Sequence, residues 1–337
     1  MFEGILENVR KRAPRIHCIT NFVTMNDCAN MLLACGASPI MAFDEAETAE
    51  IAAQCDGLVI NMGTLRREAV PAMLAAGKRA NALGRPVVLD PVGAGASDFR
   101  TETALRLMEE IRFACIRGNA SELRALSAAC EQEWKLYERS SGASHSASGV
   151  DADVSDRVTD ENLDNSVAFE KAFSKQTGAV TAMTGAIDIV ADGGTAVLIR
   201  NGHPMMSRVT GTGCQLSAVT AAFLAANNGD RQPSAAEESG LSMADEGLRL
   251  DCGSAKRTDE SFNSNRNWNY GKDDDRNFDR RLFAAAAAVC AMGLCGERAY
   301  DRLTGLDGNA TYRNYIIDAM FRLTPGCLEQ EAKAEIR

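Results

Sequence analysis

The residues best suited to chemistry form one short stretch near two-thirds of the chain, Val209-Thr210-Gly211-Thr212-Gly213-Cys214. An Ala- and Leu-rich run without Gly or Pro, residues 216–226, follows it and predicts a buried helix. Glycines just before a helix let the backbone turn sharply and bring several N–H groups toward one point. Because the helix dipole adds partial positive charge there, the stretch suits a phosphate group. A lone Gly-x-Gly is also common in ordinary loops before helices, so the pattern alone leaves both interpretations open.

Polar residues at the ends of apolar runs form a second group of candidates. Predicted strands at 16–21, 39–42, 57–63, 86–90 and 113–119 alternate with helical patterns. This alternation predicts βαβ units and a largely parallel sheet covered on both faces, with the site beyond the carboxyl ends of the strands. The polar residues expected at that edge are Asn21, Asn61, Asp90, Arg117 and Asn119.

Composition and charge exclude several classes of function. The formal net charge is -10, so the chain lacks the basic face expected of a protein that binds nucleic acid or an anionic membrane. Its 11 cysteines are scattered without a Cys-x-x-Cys pair, which favours reduced thiols in the cytoplasm over disulfides or a zinc site. The N-terminal pattern at 2–12 lacks the apolar core of a signal peptide, and the most apolar run, 284–294, is too short to span a membrane. We therefore expect a cytoplasmic protein with no membrane or nucleic-acid partner.

The 337 residues are expected to form a single α/β domain with two surface insertions. Residues 131–165 and 228–281 are polar and low in apolar content, so neither can bury much surface. Between and after them, the pattern predicts a strand at 180–185, a β-hairpin at 187–202, and helices at 283–299 and 312–323.

Several short stretches, in this order, resemble the hydroxyethylthiazole kinase family of the ribokinase-like superfamily. They are Ile19-Thr20-Asn21, residues 36–42, residues 61–65, residues 89–96, residues 116–122, Thr184-Gly185 and residues 209–214. Each is weak alone, but the ordered set is specific and favours phosphate binding at the glycine stretch. The resemblance implies a ribokinase-like three-layer α/β/α fold with a largely parallel central sheet. It also implies ATP-dependent phosphorylation of the primary alcohol of 4-methyl-5-(2-hydroxyethyl)thiazole in thiamine biosynthesis and salvage, with Mg²⁺, by a homotrimer whose pockets lie between subunits.

The same resemblance implies roles for the anion-binding and metal-binding residues. It assigns the anion hole for the transferred group to Gly211, Thr212, Gly213 and Cys214. Asp90 and Glu122 match the acidic residues that hold Mg²⁺, an ion that prefers one or two carboxylates plus phosphate oxygens and water. A purely structural role stays open for both acids, because Asp90 before a proline is a common turn residue and Glu122 in a first helical turn suits the dipole. Asn119 is interpreted as the cap of the helix beginning near residue 120, and Ser121 as another residue capable of capping it.

Substrate contacts are implied in the same way. Arg117 and Thr184 match residues that touch the ATP phosphates, and a planar guanidinium suits phosphate oxygens. Asn21, Met41 and Gly211 match residues that contact the thiazole, against which a soft thioether packs well. Arg117 could instead pair with a surface acid, and Met41 could be a core residue.

Cys214 stands where many relatives in the wider superfamily carry an Asp that acts as base. A thiol with a pKa of ~8.5 is a poor base at neutral pH, and phosphoryl transfer depends more on positioning and charge than on proton removal. We therefore expect Cys214 to orient the alcohol and to help only weakly with its proton. Two alternatives remain: another ribokinase-like activity, such as a hydroxymethylpyrimidine or pyridoxal kinase or a nucleotide-dependent hydrate dehydratase, and a ligand-binding protein without catalysis.

Overall fold

The computed structural model of the chain describes residues 1–138, 158–229 and 275–337. Its strands are β1 (Arg15–Ile19), β2 (Ser38–Ile40), β3 (Gly57–Asn61), β4 (Val87–Asp90), β5 (Cys115–Asn119), β6 (Val180–Thr184), β7 (Asp188–Ala191), β8 (Ala196–Ile199) and β9 (Ala334–Ile336). Its helices up to β6 are α1 (Ile5–Arg12), α2 (Met25–Cys35), α3 (Glu45–Gln54), α4 (Ala69–Ala82), α5 (Asp98–Glu110), α6 (Ala120–Glu138) and α7 (Leu163–Thr177). The later helices are α8 (Thr212–Asn227), α9 (Asp275–Asp301), α10 (Asn309–Arg322) and α11 (Pro325–Glu331), and a 3₁₀ helix covers Pro204–Arg208.

The strands of the described residues form one sheet in the order β2-β1-β3-β4-β5-β6-β7-β8-β9. Neighbours from β2 to β6 pair in parallel, and the last three pairings are antiparallel. The predicted largely parallel sheet and the hairpin of β7 and β8 are both confirmed. The register places Asn61 beside Asp90 and Asn119 beside Thr184, so the predicted polar residues meet at one edge.

Helices cover both faces of this sheet, which gives the three-layer α/β/α fold. Alternate strand side chains point to opposite faces, so Val59 joins one core cluster while Leu58 and Ile60 join the other. The first cluster includes buried residues of α1, α2, α8, α9 and α10, and the second includes residues of α3 to α7. The continuous apolar runs noted in the sequence therefore reflect strands that are buried on both sides.

Helix α9 has a longer apolar part than the sequence pattern indicated. Its segment Arg280–Asp301 is long and apolar enough to cross a membrane, but 83% of its apolar window is buried inside the fold, which is typical of a core helix. Consecutive alanines, Ala284 to Ala288, are all buried there and pack in the same cluster as α8. Small side chains let these two helices approach closely without voids.

Helices extend into both predicted insertions, so the non-helical part of each insertion is shorter than expected. Helix α6 continues to Glu138, and α7 begins at Leu163, so both ends of the 131–165 segment are helical. The expected end of the second insertion is also helical, since α9 begins at Asp275. The rest of both predicted insertions, 139–157 and 230–274, lies outside the described residues. The elements α7, α11 and β9 were not predicted.

Candidate active site

A chain of hydrogen bonds joins the carboxyl ends of β1, β3 and β4 to the first turn of α8. Asn21 Nδ2 donates to Asn61 Oδ1 at 3.2 Å and to Cys214 Sγ at 2.9 Å. Asn61 Nδ2 donates in turn to Asp90 Oδ2 at 2.6 Å. Asn21, Asn61 and Asp90 are buried, so these bonds lie in a low-dielectric environment that strengthens them. The edge predicted from the sequence is therefore a connected polar network.

Asp90 is the centre of this network and keeps one oxygen without a hydrogen bond. Ser217 Oγ donates to Asp90 Oδ2 at 2.7 Å, while Oδ1 has no hydrogen-bond partner in the described part of the chain. Arg117 Nη1 lies 3.7 Å from that Oδ1 and opposes the effect of burial, which raises the pKa of Asp90. Ser217 was missed as a site residue, although it follows Gly213 by one helical turn and so shares its face.

Glu122 is held by backbone N–H groups on both of its oxygens. Asn119 N donates to Glu122 Oε2 at 2.8 Å, and Glu122 N donates to Asn119 Oδ1 at 2.8 Å, which is the reciprocal pattern of a capping box. Gly93 N donates to Glu122 Oε1 at 2.9 Å and so ties the loop after β4 to α6. Burial, and then the charge of Asp90, raise the pKa of Glu122. Asn119 is confirmed as the cap, and the alternative cap at Ser121 is wrong.

Arg117 lies between Asp90, Thr184 and the beginning of α8. Its Nη2 donates to Thr184 Oγ1 at 2.6 Å across the β5–β6 pair. A Cβ added at Gly213 would lie only 2.5 Å from Arg117 Nη1, so the guanidinium rests against the first turn of α8. The alternative in which Arg117 pairs with a surface acid is therefore wrong, because the carboxylate that faces Arg117 is the fully buried Asp90.

Gly211 caps α8 in a conformation that few other residues adopt. Its φ is 85°, and a Cβ there would overlap the methyl group of Thr24. Thr24 is itself held by Asn21, because Thr24 Oγ1 donates to Asn21 Oδ1 at 3.0 Å. The first N–H groups of a helix lack intrahelical acceptors, so the N–H groups after Gly211 are available to bind a ligand.

Met41 and the nearby cavity form the apolar side of the region. Met41 directly follows β2 and lies half-buried against the same core cluster as Cys214. The buried ring of His17 lies 2.9 Å, through Nε2, from Ala42 O and so anchors the chain next to Met41. Burial lowers the pKa of His17, so the imidazole is neutral at pH 7 and donates to this carbonyl.

A cavity of about 280 Å³ adjoins the polar network through Asn61. Phe22 and Phe43 form part of its wall, with ring centroids 5.4 Å apart, and Arg66 lies 4.9 Å over the Phe22 ring. Thr64 also lines it and accepts a hydrogen bond from Phe22 N at 3.2 Å. Met41 and Cys214 are not among its lining residues, so the cavity lies beside the network on the side of α3 and α4.

Cys214 has the properties of a neutral hydrogen-bonding group. Burial raises the pKa of its thiol, and the negative charge of Asp90 raises it further. Asn21 Nδ2 donates to its sulfur, so the thiol accepts a hydrogen bond and keeps its own S–H as a weak donor. All predicted site residues thus converge except Met41, which reaches the same edge outside the hydrogen-bonded network.

Comparisons with known proteins show which proteins the chain resembles in sequence and in fold. The model of the "HK: Hydroxyethylthiazole kinase family" matches residues 6–265. The chain is 46% identical over 335 residues to a hydroxyethylthiazole kinase of Clostridium acetobutylicum, covering 99% of each chain. It is 52% identical over 219 residues to one of Desulfovibrio desulfuricans, covering 65% of this chain and 72% of the relative. The fold is similar to the structure of the hydroxyethylthiazole kinase protein from Pyrococcus horikoshii, with a TM-score of 0.70, 28% identity and coverage of 99% and 98%.

Proposed function

Because the chain belongs to the hydroxyethylthiazole kinase family, we propose that it transfers the γ-phosphoryl group of ATP to the primary alcohol of 4-methyl-5-(2-hydroxyethyl)thiazole. This reaction serves thiamine biosynthesis and salvage. The observation that carries the proposal at the level of the site is the convergence of Asn21, Asp90, Arg117 and Cys214 on the beginning of α8.

In this proposal, the transferred phosphate binds at the N-terminus of α8. The N–H groups of Thr212, Gly213 and Cys214 surround the site, and the helix dipole adds partial positive charge. Arg117 and Thr184 contact the ATP phosphates from the other side. Since the charge of the transition state spreads over phosphoryl oxygens, donors already held in place stabilise it without rearranging during the reaction.

We further propose that Asp90 and Glu122 hold Mg²⁺, directly or through water. The donor set fits Mg²⁺, because Asp90 Oδ1 is a buried oxygen without a hydrogen bond and Glu122 is close enough for the charge of Asp90 to raise its pKa. In the described residues no group of three or more His, Cys, Asp or Glu is placed to hold a metal. Two carboxylates completed by phosphate oxygens and water are what Mg²⁺ commonly accepts. When bound, the ion would neutralise phosphate charge.

The alcohol is proposed to lie between Cys214 and the thiazole contacts Asn21, Met41 and Gly211. The raised pKa of Cys214 keeps its thiol protonated at neutral pH, which supports a positioning role over that of a general base. Asn21 Nδ2 fixes the sulfur at 2.9 Å, so the position of the accepting hydroxyl is set by a rigid contact. The phosphoryl group can then move in line from ATP to the hydroxyl oxygen.

We propose that the chain forms one domain and assembles as a homotrimer in the cytoplasm. The single sheet through both halves of the described chain supports one domain. Phe22 and Val23, 48% and 69% exposed, lie at the edge of the site and support coverage by a neighbouring subunit. Light scattering of the purified protein would give three times the chain mass for a trimer, and a monomer mass would refute this part.

The deciding experiment measures ADP release with Mg²⁺ and ATP in the presence of the thiazole alcohol, hydroxymethylpyrimidine or pyridoxal. Of the three alcohols, we expect only the thiazole to give ADP release. The variant Gly211→Asp should release none with any alcohol, because a side chain at φ 85° strains the helix cap and overlaps Thr24. Release with another alcohol would favour the other ribokinase-like activities. Thiazole binding without any ADP release would favour a ligand-binding protein.

A further inference from the structure

The side chain of Arg100 joins two loops that carry the proposed site. Arg100 lies in the first turn of α5, and its Nη1 donates to Met62 O at 2.6 Å and to Val92 O at 2.7 Å. Its Nη2 donates to Gly63 O at 3.0 Å. These acceptors belong to the loops after β3 and β4, so a single guanidinium connects the ends of two neighbouring strands.

Each of the two loops positions a part of the polar network. The β3 loop begins at Asn61, whose Oδ1 accepts from Gly63 N at 2.8 Å and whose Nδ2 donates to Asp90. A Cβ at Gly63 would lie 2.7 Å from Asn21 Nδ2, so the backbone held by Arg100 packs directly on Asn21. Movement of the Gly63 carbonyl would therefore shift the wall against which Asn21 rests.

The β4 loop positions the acidic residues. It begins after Asp90, and its Gly93 N donates to Glu122 Oε1 at 2.9 Å. The stem of Arg100 supports this loop, because a Cβ at Gly93 would lie 3.0 Å from Arg100 Cδ. Val92 O, one residue before Gly93, is the carbonyl that Arg100 binds. The loop is thus held on one side by Glu122 and on the other by Arg100.

The chemistry of the contact requires a guanidinium. Its planar fork directs several N–H groups toward acceptors in different directions, whereas a lysine ammonium is a compact point charge with a different geometry. Within the described chain, Arg100 has carbonyl partners and forms no salt bridge, so its fork serves backbone geometry.

We propose that Arg100 is a positioning residue for the reaction, which holds the loop after β3, on which Asn21 packs, in register with the loop after β4, which binds Glu122. This inference rests on the proposed function for its catalytic consequence. It also predicts a selective defect, because Arg117 and Thr184, the proposed contacts of the ATP phosphates, lie on β5 and β6 and are not joined by Arg100.

The test compares Arg100→Met and Arg100→Lys with Arg106→Met, a control in the same helix whose residue pairs with Glu110 on the surface at 3.0 Å. We expect kcat/KM for the thiazole alcohol to fall at least tenfold in both Arg100 variants and to stay within twofold in the control. The dissociation constant of ADP without a divalent ion should stay within threefold in all three variants. A thiazole kcat/KM within threefold of wild type, or an equal loss of ADP affinity, would overturn the proposal.

Two further measurements separate positioning from a loss of folding. In Arg100→Ala, kcat/KM should rise at least threefold when guanidinium is added at about 20 mM, a concentration well below denaturing levels. The comparison is with the same concentration of sodium chloride. Absence of rescue in a variant that melts at the wild-type temperature would count against the proposal.

Hydrogen exchange of the substrate-free protein tests the same contact without reference to catalysis. In Arg100→Met, the amides of residues 62–64 and 92–95 should exchange faster, while those of α9 should not change. Unchanged exchange in both loops would refute the connection. If wild type lacks thiazole kinase activity but the loops respond in this way, the proposed function fails while the structural connection stands.

Discussion

The substitution Gly213→Ala offers a sharp test because it should separate stability from activity. Gly213 is the second residue of α8, and it is not among the glycines with a positive φ. An alanine is therefore compatible with the backbone at this position. A Cβ there would lie 2.5 Å from Arg117 Nη1 and 2.9 Å from Nη2, well inside contact distance, so the guanidinium must move.

The expected magnitudes follow from these two facts. Alanine in a helix is favoured over glycine by about 0.8–1.0 kcal/mol, which offsets part of the cost of moving a flexible side chain. We expect the free energy of unfolding to stay within about 1 kcal/mol of wild type. A displaced Arg117 loses its proposed hydrogen bond to an ATP phosphate, and hydrogen bonds of charged groups contribute about 1.5–3 kcal/mol. That range corresponds to a loss in kcat/KM for ATP of about 10- to 150-fold.

The assay is a double-mutant cycle with Arg117→Met. If alanine at position 213 acts through the guanidinium, the double variant should be no worse than Arg117→Met alone, because the displaced group is already absent. Gly211→Ala is the contrasting control: its backbone is strained and its Cβ overlaps Thr24, so it should lose stability as well as activity. A kcat/KM for ATP within threefold of wild type in Gly213→Ala, or a loss that adds fully to that of Arg117→Met, would refute an effect through the guanidinium.

Two further predictions concern buried ionisable groups. Burial raises the pKa of Glu170 to about 8, so its contribution to stability is present below the pKa of the unfolded chain and is lost as pH rises toward 8. In wild type, the free energy of unfolding in urea should therefore fall by up to about 1.4 kcal/mol per pH unit between about pH 5 and 8 because of this group, and Glu170→Gln should remove that fall. Parallel plots of unfolding free energy against pH for the two proteins would contradict this. Cys214→Ala should lower kcat/KM for the thiazole by about tenfold, which is equivalent to one neutral hydrogen bond. Cys214→Ser should lower it less, because serine keeps a hydrogen-bonding group. A loss above about a thousandfold in both variants would indicate that the thiol is the base.

The fold was largely predictable because its strands are buried on both faces. Apolar runs such as 57–60 and 87–89 cannot serve a half-exposed sheet, and their alternation with helical patterns allows few topologies. The polar residue at the end of each run, such as Asn61 or Asp90, then falls at the carboxyl edge without further assumptions. The register of β3 and β4 places these two residues side by side, as that reasoning requires.

Elements whose stability comes from distant contacts were not predictable. Strand β9 has three residues and pairs with β8, more than a hundred positions earlier in the chain, and nothing local in Ala334–Ile336 indicates it. Arg100 has the same difficulty, since its acceptors are carbonyl oxygens that any sequence supplies. Asn119 and Glu122 differ, because a capping box has a local spacing of three residues that can be recognised directly.

The electrostatics of the site explain why these residues belong together. The guanidinium of Arg117 rests against the N-terminus of α8, where the helix dipole would repel a cation. Asp90 and Glu122 supply negative charge that offsets this arrangement, and Asp90 Oδ1 lies 3.7 Å from Arg117 Nη1 and accepts no hydrogen bond. The helix N-terminus and the guanidinium thus converge beside two buried carboxylates, whose charged forms burial disfavours. A phosphate entering between the helix end and Arg117 would gain both favourable interactions at once, and it would leave the free oxygen of Asp90 available for a cation. The arrangement therefore supports the proposal that a phosphate and a metal ion bind here together.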